Sequence, residues 1–153
     1  MILGVLLLLD QSKKDPTKSN LLYLCTFMLL TISASRELSM TLNRKYDAKI
    51  TFDVPEFEGT YLDLIILQVY KLVHSGPRLL KPMYKSLVSV ISNLAPYTKQ
   101  LSKPTCKALV YLVQVFSRKE FLLEKEEHCR VLTNLMEAIS YFLCYHDETN
   151  ERL

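Results

Sequence analysis

The sequence predicts an all-α fold, a HEAT- or armadillo-like helical solenoid segment with an extended irregular insert around residues 37–58. Three observations predict it. Apolar residues recur at helical spacing through most of the 153-residue chain. Only three glycines are present, too few for Gly-rich nucleotide folds, and the six prolines fall between or at the starts of the periodic runs. Nearly all of the predicted helices are apolar on more than one side, as stacked helices must be when each packs between neighbours. No 34- or 40-residue sequence repeat accompanies the pattern.

The run from Met1 to Leu9 reads as the tail of a buried helix. It has the hydrophobicity of a signal-peptide core, but it lacks a positive start, and Asp10 ends it without a small-residue cleavage site. Residues 15–20, Asp-Pro-Thr-Lys-Ser-Asn, break the pattern, and Ser19 or Asn20 is expected to cap a helix over about Leu21 to Ser35. That helix is apolar almost all round, so burial on most sides is expected. It is shorter than the roughly 20 residues needed to cross a bilayer.

Leu38, Met40 and Leu42, then Ile50, Phe52 and Val54, alternate with polar residues. Period two predicts extended chain, with a short hairpin through Asn43 to Asp47, until Pro55 ends it. Thr60 and Asp63 form a capping-box variant that opens the next helix, carrying Leu62, Ile65, Ile66, Val69, Leu72 and Val73. Ser75-Gly76-Pro77 stops it, with Gly76 expected in the left-handed cap.

Pro82 starts a helix with Met83, Leu87, Val90, Ile91 and Leu94 on one stripe, ended by Ala95-Pro96. Ser102 caps another, with Pro104 in its first turn and Cys106, Leu109, Val110, Val113 and Phe116 on one face. A break near Arg118 to Leu123 follows. The last helix carries Val131, Leu132, Leu135, Met136, Ile139, Phe142 and Leu143, and its acidic start, Glu124, Glu126 and Glu127, suits the helix dipole.

Charge is unevenly spread. Residues 1–63 hold seven basic and eight acidic side chains, residues 64–119 nine basic and none acidic, and residues 120–153 three basic and eight acidic. The basic stretch is Lys71, Arg78, Lys81, Lys85, Lys99, Lys103, Lys107, Arg118 and Lys119. Several of these lie at helix ends, which a solenoid aligns on one edge, so Lys81, Lys85, Lys99 and Lys103 are candidates for contact with an anionic membrane or an acidic partner. Pairing with the acidic last helix, or a solvated face, explains the same residues. Nucleic acid is not expected, because the chain is only mildly basic and its tyrosines read as core or helix-face residues.

Catalysis finds no motif. HExxH, GxSxG and P-loop patterns are missing, and no CxxC relates Cys25, Cys106, Cys129 and Cys144. His128 and Cys129 are adjacent, so on a helix their side chains diverge. Cys144 and His146 are poorly spaced for a shared metal and read as a buried thiol and a histidine favoured by the helix end. No catalytic residue, metal, cofactor or small-molecule substrate is expected. The missing CxxC and Asn-x-Ser/Thr patterns suit a reduced, cytosolic chain.

The order Arg36-Glu37, Leu42-Asn43, Tyr46, Phe52-Asp53-Val54-Pro55, Phe57, Gly59-Thr60 and Asp63-Leu64-Ile65-Ile66 resembles the HID-1 (high-temperature-induced dauer formation) family. Lys71, His74-Ser75-Gly76, Leu80-Lys81-Pro82 and the run from Asn93 to Ser102 continue the resemblance, which extends from about Leu21 to Phe142. Its most specific parts are the Asp-x-Pro to Gly-Thr segment and Pro-Tyr-x-Lys-x-Leu-Ser. The related dymeclin family is the nearest confusion. The resemblance implies a cytoplasmic, helical, non-enzymatic protein held peripherally on Golgi membranes. It further implies a role in protein sorting and secretory (dense-core) vesicle formation, with partners in the trafficking machinery. Residues 1–153 would then be one helical segment of a larger Hid-1 domain. Lipidated members begin Met-Gly, whereas Ile2 stands here, so no N-myristoylation is expected at this start. A helical-repeat adaptor with only protein partners is the first alternative. An integral membrane fragment using residues 1–9 or 21–34 is the second. A solenoid slice exposes apolar ends, and poor solubility in isolation is expected.

Overall fold

Among the described residues, eight α-helices follow one another: α1 (Ile2–Ser12), α2 (Ser19–Ala34), α3 (Arg36–Thr41), α4 (Tyr61–Ser75), α5 (Tyr84–Leu94), α6 (Lys103–Phe116), α7 (Lys119–Glu124) and α8 (Glu127–Asn150). The computed structural model describes residues 1–49, 52–76 and 78–150, with side chains described through residue 144 except at Leu79. Short 3-10 turns at Pro16–Lys18, Arg78–Met83 and Ala95–Tyr97 lie at the breaks that the prolines mark. No strand occurs among the described residues, only an isolated antiparallel bridge between Lys45 and Thr60. The class is all-α, as the sequence predicts.

Pairing of helices sets two layers. α1 lies along α2, α2 along α5, and α5 along α8, while α4 lies along α6. Cross-links fix their directions. The Asn93 amide donates to Ser33 Oγ at 3.1 Å, joining the C-terminal ends of α2 and α5. The Ser92 hydroxyl donates to the Asn134 carbonyl at 3.1 Å, placing mid-α8 beside late α5. Ser102 N–H reaches Asp63 at 2.8 Å, and His74 meets Tyr111 at 2.8 Å, so α4 and α6 run side by side in one direction. Gln68 reaches Asp10 at 3.4 Å and sets late α1 beside the middle of α4. Three antiparallel hairpins result: α1/α2, α4/α5 and α6/α8. The central α4 is buried without interruption from Leu62 to Val69. Apart from Asp63 and Gln68, which are hydrogen-bonded to neighbouring elements, that buried run is apolar.

Several local expectations are corrected. The predicted extended run from residue 37 begins instead with the helix α3, whose N-cap Ser35 accepts from Leu38 N–H at 3.5 Å. α3 packs through Ser39, which is fully buried and donates to the Ser33 carbonyl, while Leu38 and Met40 face outward. The described residues between Leu42 and Thr60 are irregular, as predicted, but no hairpin forms over 43–47. Residues 42–46 pair instead with 59–62, through Tyr46 N–H to Gly59 O at 2.8 Å, Tyr61 N–H to Arg44 O at 3.2 Å and Leu62 N–H to Leu42 O at 3.1 Å. Ile50 and Thr51 lie outside the described residues, as does Pro77.

The α2 cap comes earlier than predicted. Asp15 accepts from Thr17 N–H at 2.9 Å and opens the 3-10 turn that runs into α2, so neither Ser19 nor Asn20 caps. Gly76 has φ of −72°, not a left-handed value. Glycine suits this position because a Cβ would overlap the Leu72 carbonyl and crowd Leu80. The break at 118–123 holds the short helix α7, and Glu124 and Glu126 precede α8 instead of starting it. The buried face of α6 is Thr105, Ala108, Leu109, Leu112 and Phe116, so Cys106 and Val110 point to solvent. Cys144, read as a buried thiol, is exposed.

Candidate interaction surfaces

The N-terminal ends of α4 and α6 form the most constrained polar junction. Asp63 is buried, and every oxygen is used. Oδ2 accepts from Thr60 N–H at 2.8 Å and from the Thr60 hydroxyl at 3.1 Å, and Oδ1 accepts from Ser102 N–H at 2.8 Å. The Thr60 hydroxyl in turn accepts from Asp63 N–H at 3.2 Å. Thus the capping box legible in the sequence also fastens the start of α6. Gly59 fits because a Cβ there would collide with the Asp63 carboxylate. Asn43 adds a second clamp, donating to the Tyr97 carbonyl at 2.6 Å and accepting from Lys99 N–H at 3.1 Å. These groups are saturated by structural bonds and leave no free atom for chemistry.

The insert is pinned at its other end by charge. Lys13 is buried and pairs with Asp10 at 2.7 Å and with Asp53 at 3.3 Å, and Lys71 reaches Asp53 at 3.6 Å. Lys13 above all, then Lys71, holds the Asp53 carboxyl below its ordinary value. Tyr46 stacks on Phe57 at 5.7 Å and meets Tyr61 edge-on at 5.4 Å, with Phe52 at 6.4 Å. Tyr46, Phe52 and Phe57 border an open cleft of about 660 Å³ together with Val54, Glu56, Glu58 and Leu64.

The basic candidates divide by position. Lys81 lies in the 3-10 turn before α5 and Lys85 in its first turn, whereas Lys99 follows it and Lys103 begins α6. α5 has 11 residues, so about 16 Å of helix axis separates the two pairs. Lys81 also pairs with Glu124 at 3.2 Å, both groups being about half exposed. The four cations therefore do not form one cluster.

Histidines and cysteines stay apart. His128 is buried, stacked on Phe121 at 4.0 Å, with Nδ1 2.6 Å from the Phe121 carbonyl, while Cys129 is exposed. Cys106 is exposed, but the atoms packed around its thiol partly desolvate it, and with the nearby Asp63 charge they raise its pKa, which disfavours the nucleophilic thiolate. The His146 side chain lies outside those described. Among the described residues no group of three His, Cys, Asp or Glu could hold a metal ion, and no helix is long and apolar enough to cross a membrane. α1 and α2 have 11 and 16 residues and pack on each other.

What sequence reasoning missed was the second role of Asp63 and the anchoring role of Lys13. Both depend on residues 39 or 40 positions apart in the chain. The capping motif signalled the first only locally, and a lysine beside an apolar helix end carried no signal for the second.

Comparison with known proteins completes the picture. The chain is 29% identical to Protein HID1 of mouse and of human over all 153 residues, which is 19% of each of those proteins. It is 30% identical to Protein HID1 of Dictyostelium discoideum over 152 residues, 17% of that protein. It thus spans about a fifth of the length of these relatives. No solved structure matches it. The family model for high-temperature-induced dauer-formation protein, Hid1, covers residues 1–153, and the chain belongs to that family.

Proposed function

We propose that the chain is a helical-solenoid segment of a non-enzymatic scaffold, held peripherally on the cytoplasmic face of Golgi membranes. It acts there in protein sorting and secretory (dense-core) vesicle trafficking, through protein partners. The observation that carries the reading is membership of the Hid1 family over the whole chain. A layered stack of antiparallel helical hairpins supports it, because such stacks present extended surfaces for binding rather than enclosed sites for chemistry. The names of the family and of its members indicate no enzyme. Lys81, Lys85, Lys99 and Lys103 are the residues assigned to an anionic surface.

Membrane fractionation with a Golgi marker tests the location. The protein should co-fractionate with Golgi membranes and be released by alkaline carbonate. Retention in the carbonate pellet, or distribution unrelated to the marker, refutes peripheral Golgi attachment. Sedimentation with phosphatidylserine vesicles tests the basic residues. Binding should fall with salt and weaken in the triple variant Lys81→Glu, Lys85→Glu, Lys99→Glu. Binding unchanged by that variant removes the lysines from the reading.

A further inference from the structure

Large exposed apolar side chains are distributed unevenly. On the first hairpin, α2 turns Tyr23, Leu24 and Phe27 outward, and Leu8 of α1 is exposed as well. On the last, α8 exposes Met136 and Leu143, and these alternate with half-buried Leu132 and Ile139. Between Met40 and Val110 no large apolar residue is exposed among those described. The middle hairpin owes this to its position, since α4 and α5 have helices on both sides.

The pattern on the outer hairpins is specific. Leu132, Met136, Ile139 and Leu143 are spaced i, i+4, i+7, i+11, and Tyr23, Leu24 and Phe27 are spaced i, i+1, i+4. Each set makes one stripe along a helix, the shape that receives another helix laid against it. Phe27 is 66% and Leu143 65% exposed, and it is their place in contiguous apolar stripes that marks a contact surface. A second copy is a poor occupant. Copies joined head to tail through two different stripes would form rings or open filaments, and a two-fold pair through one stripe would leave the other exposed. The relatives supply a better one. These 153 residues correspond to 19% of the mouse and human proteins, so the family's chains have ample further length to supply helices that cover both stripes.

We infer that the α2 stripe and the α8 stripe are stacking faces, each covered by a further amphipathic helix of the same longer polypeptide. The outer hairpins are then covered as α4/α5 already is. The inference concerns the stack and not the organelle, so it stands or falls separately from the Golgi reading.

The test places a photo-crosslinking phenylalanine analogue at Phe27, and separately at Met136, in the protein as its own cell produces it. Crosslinked peptides are then mapped by mass spectrometry. Each probe should join to a segment of the same polypeptide outside residues 1–153, and a probe at Lys99 should not. Crosslinks to a second copy, to lipid or to another protein overturn the inference. So do crosslinks confined to residues 1–153, or no crosslink at all. An unchanged limited-proteolysis ladder verifies folding, and probes at Leu24 and Leu143 repeat the experiment where a first site perturbs it.

Discussion

Asp63→Ala is the substitution with the most to lose. It removes the acceptor for Thr60 N–H at 2.8 Å and for Ser102 N–H at 2.8 Å, and frees the Thr60 hydroxyl. A hydrogen bond to a charged group contributes about 1.5–3 kcal/mol. Thr60 and Ser102 are half-buried, so water replaces part of each bond and the lower end applies. Two such bonds give a loss of about 3 kcal/mol. Thr60→Ala removes only the hydroxyl cap and leaves Thr60 N–H on the carboxylate, a loss of about 1 kcal/mol. Pulse proteolysis across a urea gradient measures both at low protein concentration. With an m-value of about 2 kcal/mol/M, the midpoints should fall by about 1.5 M for Asp63→Ala and about 0.5 M for Thr60→Ala. Equal shifts for the two variants would refute the claim that Asp63 couples α4 to α6.

Two further outcomes follow from the same geometry. Gly76→Ala drives a Cβ into the Leu72 carbonyl and should destabilise by about 1–3 kcal/mol, whereas Gly4, with nothing within 4 Å of its Cβ position, should tolerate alanine and gain up to about 1 kcal/mol of helix propensity; thermal melts of the two variants that move together would count against this reading. The Asp53 carboxyl is held below its ordinary value of 3.8 by Lys13 and Lys71, so its contribution is present above that value and lost as pH falls through the lowered one. Asp53→Asn should flatten the acid side of the stability profile below about pH 4, with a small loss of stability above that pH, small because the group is half exposed, and none at the acid end. A profile of unchanged slope excludes Asp53 as a contributor.

Helix positions were legible where one signal dominated. Thr60, Asp63 and Ser102 cap the helices that the spacing of apolar residues had placed, and all six apolar residues named for α4 are buried. Residues 36–41 misled because Leu38, Met40 and Leu42 fit period two, while the signal that decided was Ser35 as N-cap. The packing of α3 rests on Ser39, a residue that hydrophobic patterning ignores. α6 was rotated in the reading for a related reason. Thr105 and Ala108 hold buried places that Cys106 and Val110 were expected to take, because small residues let α6 lie close against its neighbours. Which of several apolar rows faces inward depends on partners remote in sequence.

Charge shows the same limit. Along the chain, a basic middle precedes an acidic end, and a reader of the sequence places them apart. Helix direction undoes that separation. α8 runs beside α5 in the same sense, with Tyr84, Phe121 and His128 gathered at their starts, so the acids before α8 lie at the Lys81 end of α5. Glu124 meets Lys81 there, and Asp53 meets Lys71. Exposed pairs of this kind contribute about 0–1 kcal/mol to stability. Their larger effect is on the field an incoming anion meets, since a carboxylate 3.2 Å from Lys81 cancels its charge within a Debye length of about 8 Å. Among the described residues Lys85, Lys99 and Lys103 have no ion pair. An anionic surface that engages this protein through the basic segment therefore draws on those three more than on Lys81.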